Sequence, residues 1–275
     1  MKGDQYTVLV PFHSKEDAME YKEFDVTFPL TGKVAAVTGG ASGIGFVIAE
    51  MFARKGADLF LIDRSDSIDK TALDLKKQYG IKAHGHCQDL SEPGCAAPAA
   101  DLCMKHFGRV DILVNNAGIS FLEDVENLSE EYWDKTLEVN LKVPFLLSQV
   151  FAKKMIAQGG GKIINMASQA AVVALDKHAA YCASKAGIVS LTKVCALEWG
   201  EYNINVNCIS PTVILTEMGR NYWKGEIGEA MKKKIPIGRF GYPEEVAAAC
   251  AFLASDAANL ITGENLILDG GYSIK

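Results

Sequence analysis

Three side chains in the second half of the chain could move a proton to or from an alcohol oxygen. Tyr181 and Lys185 stand four residues apart in Tyr181-Cys182-Ala183-Ser184-Lys185, and Ser168 lies a short way upstream. On a helix, positions i and i+4 share a face, so the phenol and the ammonium point into the same space. A neighbouring cation favours phenolate over phenol and brings a tyrosine pKa down towards neutrality, where a general acid/base works best. A serine hydroxyl beside the pair could orient the oxygen that gains or loses the proton. A Tyr/Lys pair at this spacing more often merely covers a helix surface, so its meaning depends on the rest of the chain.

The hydropathy pattern provides a scaffold for these residues. Short apolar or alternating runs at Lys33–Thr38, Asp58–Ile62, Ile81–Cys87, Val110–Asn115, Lys162–Ala167, Asn203–Ile209 and Asn265–Leu268 read as strands. Between them come helix-length stretches such as Gly45–Lys55, Asp69–Tyr79, Ser129–Ala157, Ala179–Trp199 and Pro243–Ala254. In the first, Ile44, Val47, Ile48, Met51 and Phe52 follow the i, i+3, i+4, i+7, i+8 stripe of an amphipathic helix. Alternating βα units predict an α/β fold, a doubly wound parallel sheet of seven strands with helices on both faces. Residues 30–275 form a single domain in this reading, after an N-terminal extension over 1–29 that ends at Pro29-Leu30-Thr31-Gly32.

Thr38-Gly39-Gly40-Ala41-Ser42-Gly43-Ile44-Gly45 follows the first strand and opens the first helix. Glycines let the backbone turn sharply and approach a pyrophosphate, whose charge the helix N-terminus meets. The spacing of Gly39, Gly43 and Gly45 differs from the general GxGxxG form, so alone it would equally suit an ordinary glycine turn. The second strand ends at Asp63, followed by Arg64. A carboxylate there accepts from both hydroxyls of an adenosine ribose and repels a 2′-phosphate, which favours NAD over NADP. No lysine or arginine in the glycine turn counters it.

Composition narrows the function. The chain has 275 residues, 49% of them hydrophobic, enough for one large core. A net charge of −6 argues against nucleic acid or an anionic membrane surface as partner. No apolar run is long enough to span a bilayer, and the opening Met1–Tyr21 is too charged for a secretory signal. Seven cysteines are scattered singly, which reads as buried free thiols of a cytoplasmic protein and not as a disulfide framework or a metal site.

Taken in order, Thr38–Gly45, Asn115-Asn116-Ala117-Gly118, Asn140, Ser168, Tyr181–Lys185 and the closing Gly263–Tyr272 resemble the short-chain dehydrogenase/reductase family, over about residues 30 to 275. The resemblance implies a Rossmann fold and a catalytic set of Asn140, Ser168, Tyr181 and Lys185. Tyr181 takes the substrate proton, Lys185 lowers its pKa and binds the nicotinamide ribose, and Ser168 holds the substrate oxygen. The Asn140 carbonyl, which Pro144 cannot reach with an N–H, is left for a water in a proton relay. The cofactor set it implies is Gly39, Ser42, Gly43, Ile44, Gly45, Asp63, Arg64, Asp89, Leu90, Asn116, Ala117, Gly118, Tyr181, Lys185, Ile214 and Thr216. Asp89 and Leu90 would bracket the adenine; Ile214 and Thr216 would hold the carboxamide. Thr212 stands where the family more often has glycine. The family also implies a homotetramer, with Ser129–Ala157 and Ala179–Trp199 pairing across a two-fold.

The substrate pocket is read from the residues after Ser168, the loop before Tyr181 and the segment after Thr216; the substrate residues are Ser168, Gln169, His178 and Tyr181, with Gln169 and His178 set in the small apolar wall Ala170–Leu175. Polar groups in such a wall suit a small polyol or ketose better than a long acyl chain, and Ser210–Thr216 looks like the corresponding segment of xylulose- and polyol-type members. The alternatives are a 3-oxoacyl-thioester reductase on the same scaffold, and a dinucleotide-sensing regulator without turnover. Asp63 counts against the first, and the intact Tyr181 and Lys185 against the second.

Overall fold

The computed structural model describes residue 25 and residues 27–275. Most of the extension expected over 1–29 lies outside the described residues. Its end packs on the body: the Phe28 ring meets Phe252 edge-on at 5.4 Å, and Leu30 is fully buried.

Seven strands, β1 (Val34–Thr38), β2 (Asp58–Asp63), β3 (Ala83–Cys87), β4 (Ile112–Asn115), β5 (Gly161–Met166), β6 (Ile204–Pro211) and β7 (Asn265–Leu268), form one parallel sheet in the order β3-β2-β1-β4-β5-β6-β7. The helices are α1 (Gly43–Arg54), α2 (Ile68–Tyr79), α3 (Ala96–Phe107), α4 (Glu130–Leu137), α5 (Val143–Gln158), α6 (Ala179–Trp199), α7 (Glu217–Tyr222), α8 (Gly225–Lys232) and α9 (Pro243–Ala254).

Successive strand residues face opposite sides. Ala35, Val37, Leu59, Leu61, Ile112 and Val114 therefore meet α1, α2 and α9, while Val34, Ala36, Phe60, Ile62, Leu113 and Ile163 meet α3, α5 and α6. Burial on both faces explains why these strands are continuously apolar. The α1 stripe is confirmed, with Ile48 and Phe52 fully buried and Ile44, Val47 and Met51 packed beside them. At about 1.5–3 kcal/mol per buried large side chain, this contact holds α1 without help from its cap. Ser42, its N-cap, makes no side-chain cap bond, and the first turn carries no acidic residue.

Two helical segments depart from the sequence reading. The single helix expected over Ser129–Ala157 is broken by a π-helical turn, Glu138–Lys142, in which the Val143 N–H reaches back five residues to the Glu138 carbonyl. Pro144 has no N–H to continue the α ladder, and the wider turn absorbs the gap. Helix α3 was not among the stretches read from periodicity. Its Pro98 looks like a breaker, but sits in the first turn, where the N–H has no intrahelical partner anyway.

From β1 the chain winds one way to β2 and β3, then crosses to β4 and winds the other way. The crevice between the C-terminal ends of β1 and β4 is where such a sheet accepts a ligand.

Candidate active site

The glycine turn leaves β1 at Gly39, whose N–H donates to the Ile62 carbonyl at 2.8 Å. Gly39 and Gly43 have φ of 69° and 57°, the left-handed region that glycine enters without strain. Gly45 is required for another reason: a Cβ there would sit 2.1 Å from the Gly39 carbonyl oxygen and 2.5 Å from Asn116 Nδ2. Thr38 joins this turn to the loop after β4, because its hydroxyl accepts from the N–H groups of Asn116 (2.9 Å) and Ala117 (3.0 Å). Ser42, Gly43, Ile44 and Gly45 thus present the uncapped start of α1 to the crevice.

Asp63 closes the far end. Its two carboxylate oxygens accept from Ala41 N–H and Ser65 N–H, both at 3.0 Å, so its direction is fixed by backbone. Arg64 beside it is exposed, and its charge acts on Asp89, whose carboxylate is held below the usual range mainly by its hydrogen bond from the Ser91 hydroxyl. Leu90 turns into the core. Asn116 and Gly118 line the crevice floor, while the Ala117 side chain packs against the core beneath it. Ile214 and Thr216 stand across from Gly43, where an added Cβ would lie 3.6 Å from Thr216 Cγ2. The Thr216 hydroxyl caps α7 by accepting from Gly219 N–H at 3.1 Å, which leaves its own proton available. A backbone cradle that a Cβ would fill, an uncapped helix start and a carboxylate at the second strand's end fit a dinucleotide without a 2′-phosphate.

Ser168, Tyr181 and Lys185 converge at the C-terminal end of β5. Ser168 follows the strand, while Tyr181 and Lys185 share one face of α6 as the spacing predicts. The Ser168 hydroxyl, which accepts from Ala170 N–H at 3.2 Å, lies near enough to Tyr181 to favour its ionised form. The electrostatics differ from the sequence expectation. Burial pushes the Tyr181 phenol up from its ordinary value, and only the Ser168 hydroxyl works the other way. Lys185 does not reach the hydroxyl. Its ammonium lies 5.5 Å from the Tyr181 ring centroid and donates to the Met166 carbonyl at 2.7 Å. Burial holds its pKa down to about 8.

Asn140 is buried in the π turn and clamps the backbone beyond β4. Its Oδ1 accepts from Ile119 N–H and its Nδ2 donates to the Ile119 carbonyl, both at 2.8 Å; Nδ2 also reaches Ser184 Oγ at 3.2 Å. The Ser184 hydroxyl donates to the Tyr181 carbonyl. One asparagine therefore ties the backbone beyond β4 to α6.

These groups open into a cavity of about 950 Å3, which Gln169 and His178 also line. Gln169 is buried, and its Oε1 has no hydrogen-bond partner among the described residues. His178 Nδ1 is 2.5 Å from the Asp176 carbonyl oxygen. A carbonyl only accepts, so Nδ1 carries the proton and Nε2 of the neutral ring is an acceptor.

The family model described as enoyl-(acyl carrier protein) reductase matches residues 39–273. The chain belongs to the short-chain dehydrogenase/reductase family. Among its relatives, the NAD-dependent glycerol dehydrogenase of Listeria innocua is 56% identical over 257 residues, covering 94% of this chain and 100% of that protein. The D-threitol dehydrogenase of Mycolicibacterium smegmatis is 52% identical over 253 residues, covering 91% and 96%. A solved structure of an NAD+-bound xylitol dehydrogenase superposes with a TM-score of 0.84 at 28% identity, covering 88% of this chain and 99% of that one.

Sequence reading left several parts of this short-chain dehydrogenase/reductase site unnamed. The segment after Thr216 joins the pocket as expected, through Trp223, Met231 and Lys234, and Tyr272 completes the outer wall with them. They come from α8, its flanks and the chain end, and no periodicity marks them. A buried ladder beneath the site was also missed: Asn115 Nδ2 donates to Asn165 Oδ1 at 2.8 Å, and Asn165 Nδ2 donates to Thr192 Oγ1 at 2.9 Å. Polar residues in otherwise apolar strands were its one visible sign. The seven cysteines are free, but only Cys103, Cys195, Cys208 and Cys250 are buried as expected; Cys95 and Cys182 are half-buried, and Cys87 is exposed at the end of the short β3.

Proposed function

We propose that this short-chain dehydrogenase/reductase interconverts a secondary alcohol of a small polyol or glycol and the matching ketone. It is an oxidoreductase that uses NAD. Bound NAD would supply the acceptor for the carbinol hydride, or its donor in the reverse direction. Tyr181 takes the proton from the alcohol oxygen, Ser168 holds that oxygen, and Lys185 positions the nicotinamide ribose and supplies positive charge. The clamp at Asn140 keeps Ile119 and α6 in register, and its carbonyl serves the water that resupplies the proton. The glycine turn holds the pyrophosphate, Asp63 the adenosine ribose, Arg64, Asp89 and Leu90 the adenine edge, Asn116, Ala117 and Gly118 the floor, and Ile214 and Thr216 the carboxamide.

The observation that carries the substrate class is Gln169 Oε1, a buried acceptor without a donor. With His178 Nε2 it asks for a ligand that donates twice, as neighbouring hydroxyls of a polyol do and an acyl thioester does not. The glycerol and threitol specificities named for the two relatives support the same class. NADH formation across glycerol, threitol, xylitol and shorter glycols tests it. Turnover on at least one is expected, with a selective rise in polyol KM for Gln169→Leu; no turnover on any would overturn the reading.

The same reading places the enzyme in the cytoplasm as a homotetramer of catalytic domains spanning 30–275. Exposed Trp133 on α4, Phe145 on α5, and Val194 and Leu197 on α6 give these helices an apolar outer face for pairing. A monomeric mass by light scattering would refute the assembly.

A further inference from the structure

At the sheet edge opposite the catalytic one, the starts of β1, β4, β5 and β6 surround a second cavity of about 200 Å3. Lys162, the second residue of β5, is buried there. Its ammonium donates to Asn205 Oδ1 at 2.7 Å and to Asn259 Oδ1 at 2.6 Å, both uncharged. An ammonium has three N–H groups. One is left without an acceptor among the described residues, and Lys162 forms no ion pair with any of them.

The carboxylates that line the cavity are occupied elsewhere. Asp111 receives Arg109 through both oxygens, at 2.9 and 2.6 Å, and the Val34 N–H at 2.8 Å. Asp256 faces Lys33 at 3.9 Å from a largely exposed position. Lys33, Arg109 and Lys162 against Asp111 and Asp256 leave one positive charge over, and the group without a contacting counter-ion is the buried one. Burial lowers Lys162 to about 8, so it is still charged at neutral pH. A buried ammonium without an anion is a costly way to fill a strand position that an apolar residue fills well. A ligand that brings the missing negative charge accounts for it.

We propose that this cavity is a second, non-catalytic site for a small tetrahedral oxyanion such as inorganic phosphate. Lys162 is its central donor, and Lys33 and Arg109, on two other strand approaches, flank it from different directions. The space admits a phosphate and a few waters but not a nucleotide.

Calorimetric titration of the NAD-saturated protein with inorganic phosphate at constant ionic strength tests the site, because bound NAD fills the other phosphate cradle. One phosphate per chain is expected, with affinity at least about tenfold weaker in Lys162→Gln and NAD affinity unchanged. Lys33→Gln, on the exposed rim, provides a second variant that keeps the fold and should weaken binding by a smaller factor. Absence of phosphate uptake by the wild type, or equal affinity in wild type and both variants, would overturn the proposal.

Discussion

The Lys185 ammonium is bound to the Met166 carbonyl oxygen at 2.7 Å, at the end of the strand that leads into Ser168. Lys185 is thereby a strut between α6 and β5 as well as a charge. Its 5.5 Å separation from the Tyr181 ring centroid means that the lysine does not by itself make the phenol acidic.

The cofactor-free protein should therefore show Tyr181 titrating above an ordinary phenol, in the direction set by burial. Phenolate absorbance of the wild type minus that of Tyr181→Phe isolates the group; a step below the ordinary range would contradict this. The same variant should lose turnover by at least about 10²-fold, with NAD binding nearly unchanged.

Cofactor choice rests on Asp63. Because backbone N–H groups hold both its oxygens, it cannot swing away from a 2′-phosphate. NAD should exceed NADP in kcat/KM by roughly 10²-fold or more, and Asp63→Ser should narrow the ratio from both sides. Equal efficiencies in the wild type would refute the assignment.

Two glycines of the turn should behave differently. Gly45→Ala drives a methyl into the Gly39 carbonyl, a backbone atom that cannot step aside, so NADH binding measured by fluorescence should be abolished. Gly43→Ala meets nothing closer than 3.6 Å and suffers only its positive φ, about 1–2 kcal/mol of strain. It should retain weakened binding.

Lys162 gives a pH signature in stability. Its folded pKa of about 8 lies below the ordinary 10.5, so between those values the unfolded chain holds the extra proton. The penalty is complete below pH 8 and relieved as pH rises towards 10.5. In urea unfolding without phosphate, the stability of wild type relative to Lys162→Met should rise by about 3 kcal/mol across that window. A flat difference would show that Lys162 is not desolvated.

The sheet was legible in the sequence because the inner strands β1, β2, β4, β5 and β6 are buried on both faces and alternate with striped helices such as α1. The shared face of Tyr181 and Lys185 was legible because i, i+4 spacing survives any packing that keeps α6 helical. The charge balance around Tyr181 was not, since it depends on where the lysine's long stem ends, and Met166 captured it. The individual residues of the outer wall were equally hidden, because Trp223, Lys234 and Tyr272 are far apart in the chain and line one cavity only once it has folded.

The π turn at Glu138–Lys142 amounts to one residue more than an α-helix would need between α4 and α5. Because the bulge absorbs that residue locally, α4 and α5 keep nearly the rotational phase of one continuous helix, and removing a neighbour of Asn140 would take out the bulge and leave the two helices in place. What would be lost is the displaced backbone position from which Asn140 reaches Ile119 on one side and Ser184 on the other. The clamp beside this site is carried by a single inserted residue.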